Sequence, residues 1–94
     1  MPSPFDLLVP GGIVVGTSGA RPDIRVLPGG KGAADKLFAE LSIGAIHVFV
    51  PHYPGTMKDL SAGGRVGYRP VSKSGPPTID VDIPGIPVTK LKFL

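Results

Sequence analysis

Residues 65–83 read Arg-Val-Gly-Tyr-Arg-Pro-Val-Ser-Lys-Ser-Gly-Pro-Pro-Thr-Ile-Asp-Val-Asp-Ile, and this pattern predicts a strand, a loop and a second strand. Arg65–Arg69 is the first predicted strand and Thr78–Ile83 the second. In the second strand apolar and polar residues alternate, as they do when one face of a sheet is buried. A hairpin with Val88–Phe93, which alternates in the same way, is predicted next along the chain.

The loop between these strands, residues 70–77, holds three prolines, two serines and one lysine. Proline fixes φ and removes a backbone donor, so the loop is predicted to be stiff for its length. A stiff loop with a Ser-Lys-Ser sequence, flanked by Arg69 and Thr78, suits a cradle for a phosphate group. Ser, Gly and Pro are also the ordinary residues of a polar surface turn, and this structural interpretation stays open beside the functional one.

One helix is predicted over Lys31–Ser42, because four apolar residues fall on one face at i, i+3, i+4 and i+7: Ala34, Leu37, Phe38 and Leu41. Further strands are predicted at Ile24–Leu27 and Ala45–Val50, with Met57–Gly64 as a loop or weak strand. The predicted fold class is α+β, with one main helix packed on an antiparallel sheet of about four strands. In the hairpin, cross-strand ion pairs are expected between Asp80 and Asp82 on one strand and Lys90 and Lys92 on the other.

The chain has 94 residues, no cysteine and a net charge of +3. We expect a loop-rich N-terminal segment over residues 1–22 and a single α+β domain over residues 23–94. Residues 44–94 carry six basic and three acidic side chains, whereas the first 43 residues carry four of each. A basic half-domain suits a polyanionic partner, and a solvated basic surface is the alternative. No apolar run approaches the length of a membrane span, so none is expected.

The two histidines are the candidate proton carriers. His47 lies in the middle of a predicted strand, where a partly buried structural role is as good an interpretation as catalysis. His52 lies in the turn Pro51–Gly55 at a strand end, a placement that favours a general acid or base. The spacing of histidines and carboxylates matches no helical zinc motif, so no metal site and no cofactor are predicted.

The segment Gly67–Val81, together with the ending Lys90–Phe93, resembles the C-terminal toxin domains of bacterial polymorphic toxins of the contact-dependent inhibition and Rhs types. These domains are similar to the barnase–EndoU–colicin–RelE-like ribonuclease group. The resemblance covers roughly residues 16–93 and is most specific over Tyr68–Ile79. The upstream helices of that group are short or missing in this chain.

The resemblance implies a secreted or delivered toxin that acts in the target-cell cytoplasm as a metal-independent ribonuclease on tRNA or another structured RNA. It also implies a cognate immunity protein, which we expect to be acidic. Such cleavage needs a proton carrier and cations for the charge that develops on phosphorus. The candidate catalytic residues are His52, Arg69, Lys73, Ser74 and Thr78. The candidate RNA-binding residues are Lys31, Tyr53, Arg65, Tyr68 and Ser72, with the tyrosines expected to stack on bases.

Two other classes of function stay open. One is a non-catalytic module that binds RNA or protein. The other is a metal-dependent DNA nuclease that uses the carboxylates of Asp59, Asp80 and Asp82.

Overall fold

The sheet is the largest feature of the computed structural model, which describes residues 3–73 and 75–94. In this part of the chain the strands are β1 Thr17–Ser18, β2 Ile24–Leu27, β3 Ile46–Val48, β4 Thr56–Asp59, β5 Arg65–Arg69, β6 Thr78–Asp82 and β7 Lys90–Phe93. The helices are α1 Pro4–Leu8, a 3₁₀ turn at Pro10–Gly12, and α2 Gly30–Leu41. The α+β class, with one main helix on a sheet, is confirmed.

The described residues form one mixed sheet of seven strands in the order β1-β2-β7-β6-β5-β4-β3. Two expectations were therefore wrong: the sheet has more than four strands, and β2 pairs in parallel with β7. All the other neighbouring strands are antiparallel. Strand β4, which overlaps the predicted loop or weak strand Met57–Gly64, reads Thr-Met-Lys-Asp, and each of its residues is only half-buried. It has no apolar face to mark it, and its pairing with β3 and β5 holds it in the sheet.

Helix α2 packs on one face of the sheet through its apolar stripe, with Ala34, Phe38 and Leu41 buried. The Phe38 ring lies 5.3 Å, centroid to centroid, from the Tyr68 ring of β5. Every second strand residue points toward α2, including buried Val66 and Tyr68 of β5. The residues of opposite parity form the other face, which we call the open face. On β5, β6 and β7 this face carries Arg65, Gly67, Arg69, Thr78, Asp80, Asp82, Lys90 and Lys92.

The first part of the chain packs onto the same core. Leu8 and Val9 are buried in the cluster that contains the strand and helix side chains. The Arg25 guanidinium fixes the following segment by donating to the carbonyls of Val15 and Gly16, each at 2.9 Å. It also donates to Ser18 Oγ and to the Pro22 carbonyl. Within the described part of the chain, no helix combines the length and apolar character needed to cross a membrane.

Candidate functional site

The loop after β5 closes on itself through one carbonyl group. Ser72 Oγ donates to the Pro76 oxygen at 2.7 Å, and Thr78 Oγ1 donates to the same oxygen at 3.2 Å. The Pro77 carbonyl in turn accepts from the backbone N–H of Phe93 in β7 at 3.0 Å. The loop is thereby tied to the sheet beside β7. Ser74, the second serine of the Ser-Lys-Ser sequence, lies outside the described residues.

A basic cleft of about 220 Å³ opens where this loop meets the open face. Its lining residues are Arg69, Ser72, Lys73, Thr78, Lys90 and Lys92. Four of these six side chains are cationic at neutral pH. Cations that converge on one concave surface raise the local concentration of anions and attract phosphate groups in particular. We call this site the basic cleft.

One wall of the basic cleft is an arginine held by a carboxylate. Arg69 Nε and Nη2 donate to the two oxygens of Asp80 at 2.8 and 3.0 Å, and the two side chains are only 15% and 25% exposed. The register places Lys90 directly opposite Asp80. Where an ion pair with a β7 lysine was expected, Asp80 is paired with Arg69 of β5, whose guanidinium fork matches both carboxylate oxygens. The N–H groups of Arg69 outside this pair can serve an anion.

Tyr53 lies across the open face and joins this pair. Its hydroxyl donates to Asp80 Oδ2 at 2.7 Å. The tyrosine fits there because residue 67 is a glycine: a Cβ at Gly67 would lie 2.3 Å from the Tyr53 hydroxyl oxygen. Burial, followed by the hydrogen bond to Asp80, raises the pKa of Tyr53 well above its usual range. The hydroxyl therefore stays protonated and bonded to Asp80.

His52 immediately precedes Tyr53 in the turn that links β3 to β4. It is exposed and has a positive φ of 66°, a backbone state that costs an ordinary residue roughly 1–3 kcal/mol. The turn is closed by the Tyr53 N–H, which donates to the Val50 carbonyl at 3.2 Å. The Tyr53–Asp80 bond then anchors the turn to the open face, so His52 is held in a fixed conformation at the surface.

His47 is exposed rather than partly buried. It lies opposite Lys58 on strand β4, and the Lys58 ammonium is 5.7 Å from the Phe38 ring centroid. His47 thus belongs to the face that α2 covers, near the β3 edge. The structure does not bring it to the basic cleft.

Two other predicted RNA-binding residues lie on the side of α2. Tyr68 is 8% exposed, and its hydroxyl donates to Asp35 Oδ1 at 2.5 Å. Burial and this bond raise the pKa of Tyr68 to about 12, and the same bond lowers the pKa of Asp35. Lys31 is paired with Asp35 at 2.9 Å. A base cannot stack on a ring that is already packed against Phe38, so Tyr68 supports the core instead.

Arg65 is on the open face but at the far end of β5, roughly 13 Å from Arg69. Its Nε donates to Asp59 Oδ1 at 2.6 Å, and this hydrogen bond raises the pKa of Arg65. The pair lines a second cleft, of about 460 Å³, with Asp82 on its border. Arg65 therefore belongs to a mixed-charge site that is separate from the basic cleft.

Two of the three carboxylates of the nuclease alternative are engaged in ion pairs with arginines. Asp59 is paired with Arg65 and Asp80 with Arg69. Among residues 3–73 and 75–94, no three His, Asp or Glu side chains lie close enough together to hold a metal ion. No arrangement of the described residues therefore favours the metal-dependent DNA nuclease over the other candidates.

Sequence reasoning placed Lys90 and Lys92 on the open face but did not include them in the site. The signal was available, since the predicted hairpin places the β7 lysines beside the strand that follows the Ser-Lys-Ser loop, and in the structure Thr78 pairs with Lys92. The sequence suggested Asp80 as a partner of those lysines and as a carboxylate of the nuclease alternative. In the structure Asp80 binds Tyr53 and holds Arg69, which lines the cleft.

Comparison of the chain with known protein families, with curated proteins and with solved structures finds no match.

Proposed function

We propose that this protein is the toxin domain of a delivered bacterial toxin and cleaves RNA without a metal ion, with tRNA or another structured RNA as its substrate. The observation that supports this most is the basic cleft, in which four cationic side chains converge beside the Ser-Lys-Ser loop. The RNA backbone is the polyanion that this arrangement suits, because every nucleotide brings a phosphate group.

In this proposal Arg69, Lys73, Lys90 and Lys92 bind the scissile phosphate and stabilise the negative charge that grows in the transition state. His52, held in its strained turn, is the candidate proton carrier. Ser72 and Thr78 take a different role from the one expected. Their hydroxyl hydrogens are used by the Pro76 carbonyl, and Thr78 is fully buried. They shape the loop and do not donate to phosphate.

A toxin that acts on RNA needs an inhibitor in the cell that makes it. We propose an acidic immunity protein that covers the basic cleft and neutralises its cations. Complementary charge would make this association fast and sensitive to salt.

The second candidate is an RNA-binding module without catalytic activity. It is favoured by the state of the polar groups at the cleft wall. Asp80 is occupied by Arg69 and Tyr53, and the raised pKa of Tyr53 makes its hydroxyl a poor proton donor. Among the candidate residues that the structure describes, His52 is the one left to transfer protons, and a binding module needs no such group.

Cleavage of purified RNA in excess EDTA separates these candidates. We expect cleavage to persist in chelator and to fall strongly in Lys73→Ala and Lys90→Ala, since loss of one preorganised group costs about 100- to 1000-fold in rate. Lys36→Ala is the matched control, because Lys36 is an exposed lysine of α2. Tight, salt-sensitive binding without cleavage would identify the binding module. RNA cleavage only with added magnesium would contradict the metal-independent mechanism, and magnesium-dependent cleavage of DNA in place of RNA would favour the DNA nuclease. Absence of both binding and cleavage would refute the proposal.

A further inference from the structure

We infer that Tyr53 is a positioning residue for Arg69: its hydroxyl holds Asp80, and Asp80 holds the guanidinium at the wall of the basic cleft. The inference rests on the proposed function only in taking the ligand of the cleft to be an RNA phosphate group. It replaces the stacking role that the sequence suggested for Tyr53.

The chain of contacts is continuous and short. The Tyr53 hydroxyl donates to Asp80 Oδ2 at 2.7 Å, and Arg69 Nε donates to the same oxygen at 2.8 Å. Arg69 Nη2 donates to Oδ1 at 3.0 Å. The Asp80 carboxylate thus accepts hydrogen bonds from the neutral Tyr53 hydroxyl and from the charged Arg69 guanidinium. With both oxygens occupied, the carboxylate cannot rotate without breaking a bond, so the plane of the guanidinium is fixed as well.

The sequence makes room for this arrangement at one position. Gly67 lies between Arg65 and Arg69 on the open face, and a Cβ there would approach the Tyr53 Oη, Cζ and the Met57 sulfur within 2.9 Å. Only glycine at residue 67 leaves room for the Tyr53 ring to reach Asp80 across β5. Gly67 therefore provides the space that the Tyr53 ring occupies, and from there the Tyr53 hydroxyl donates to the Asp80 carboxylate.

The orientation matters for the ligand. Nε and Nη2 of Arg69 are both bonded to Asp80, so these two groups are not available for a bidentate contact with a phosphate. Arg69 lines the basic cleft together with Lys90 and Lys92 of β7, so its other N–H groups are the ones left for an anion there. A preorganised donor of this kind binds an anion without having to be ordered first. Without the Tyr53 hydroxyl, the Asp80 carboxylate and the Arg69 guanidinium gain conformational freedom. The contribution of preorganisation to anion affinity is then lost.

The test uses a short oligouridine that is 2′-O-methylated and so cannot be cleaved. Its affinity for the full chain is measured by fluorescence anisotropy. Partners that orient a ligating side chain typically contribute about 10- to 100-fold in affinity at metal sites, and we expect Tyr53→Phe to weaken binding about tenfold. In an Arg69→Ala background the same change should have no effect. Tyr68→Phe is the matched control, because it removes the corresponding hydroxyl–carboxylate bond on the other face of β5 and should leave affinity unchanged.

Either of two binding results would overturn the inference. Binding that survives Tyr53→Phe but is lost in Tyr53→Leu would show that the ring stacks on a base. A loss in Tyr53→Phe that persists without Arg69 would show a direct contact of the hydroxyl with RNA. The Arg69 Nε–H resonance gives a readout without RNA: its exchange with water should accelerate in Tyr53→Phe, and an unchanged rate would refute the positioning role. If the wild-type chain fails to bind the oligonucleotide, the proposed function fails, while this resonance still decides the inference.

Discussion

Replacing Gly67 with alanine tests the open face at its tightest point, because two effects of opposite sign compete there. Glycine in a strand is normally unfavourable relative to alanine by roughly 0.5–1 kcal/mol, so the substitution alone would stabilise β5. In this protein the new Cβ would lie 2.3 Å from the Tyr53 hydroxyl oxygen and 2.7 Å from Cζ. Contacts this short force the ring to move away.

The cost of that movement has two parts. Overpacking typically destabilises by about 1–3 kcal/mol. A lost hydrogen bond to a charged group such as Asp80 costs about 1.5–3 kcal/mol more. After the gain from replacing glycine is subtracted, we expect Gly67→Ala to lower the free energy of unfolding by about 1.5–5.5 kcal/mol. For a domain of this size the corresponding fall in Tm is at least about 6 °C.

Urea unfolding followed by circular dichroism measures the free energy directly. The control is the same substitution in a Tyr53→Ala background, where the ring is absent and Gly67→Ala should become neutral or stabilising. A wild-type-like or increased stability of the single variant would refute the packing of Tyr53 over Gly67. The positioning role of Tyr53 would then fail with it.

Three further predictions follow from other contacts. Arg25→Gln should destabilise the fold by about 1.5–3 kcal/mol, since it removes charged hydrogen bonds to the segment before β2, and limited proteolysis should then cut near Gly16. The pKa of Tyr68 is raised from 10.0 to about 12, so its stabilising contribution is complete below pH 10 and is lost as the pH rises through about 12. Tyr68→Phe should therefore flatten the fall in Tm over this pH range, and phenolate absorbance should show no tyrosine ionising near pH 10 in the wild type. Lys31→Ala should change stability by less than about 0.5 kcal/mol in urea unfolding, because it removes only an exposed i,i+4 pair; a larger loss would assign Lys31 a tertiary role.

Local sequence patterns were sufficient to predict the elements whose own residues have a clear helical or strand periodicity. The strand Arg65–Arg69 has the predicted bounds, and α2 was predicted to within one residue at each end. The alternation of residues in β5 also indicates the position of Tyr68. Tyr68 is two residues from Val66, so both lie on the buried face of the strand. A tyrosine on that face is directed into the core before any base can reach it.

The remaining features depend on residues far apart in the chain. Strand β4 is held by pairing rather than by its own apolar face, and the parallel pairing of β2 with β7 joins residues that local patterns cannot relate. The Tyr53–Asp80 bond likewise joins residues 27 positions apart. Its one local sign is Gly67 in a strand interior, which marks a close approach by another part of the structure.

The position of β7 determines when the fold can be completed. This last strand is inserted between β2 and β6, so it alone joins the two-stranded piece β1–β2 to the four-stranded piece formed by β6, β5, β4 and β3. During synthesis, residues 24–27 leave the ribosome long before residues 90–93. Strand β2 therefore cannot pair with β7, its parallel neighbour, until β7 has been made. Pairing across such a sequence separation is intrinsically slow, because the entropy of closing the loop is lost before the contacts form. We therefore expect the nascent chain to remain incompletely folded until its final strand emerges, and the basic cleft, which needs Lys90 and Lys92, to be assembled last.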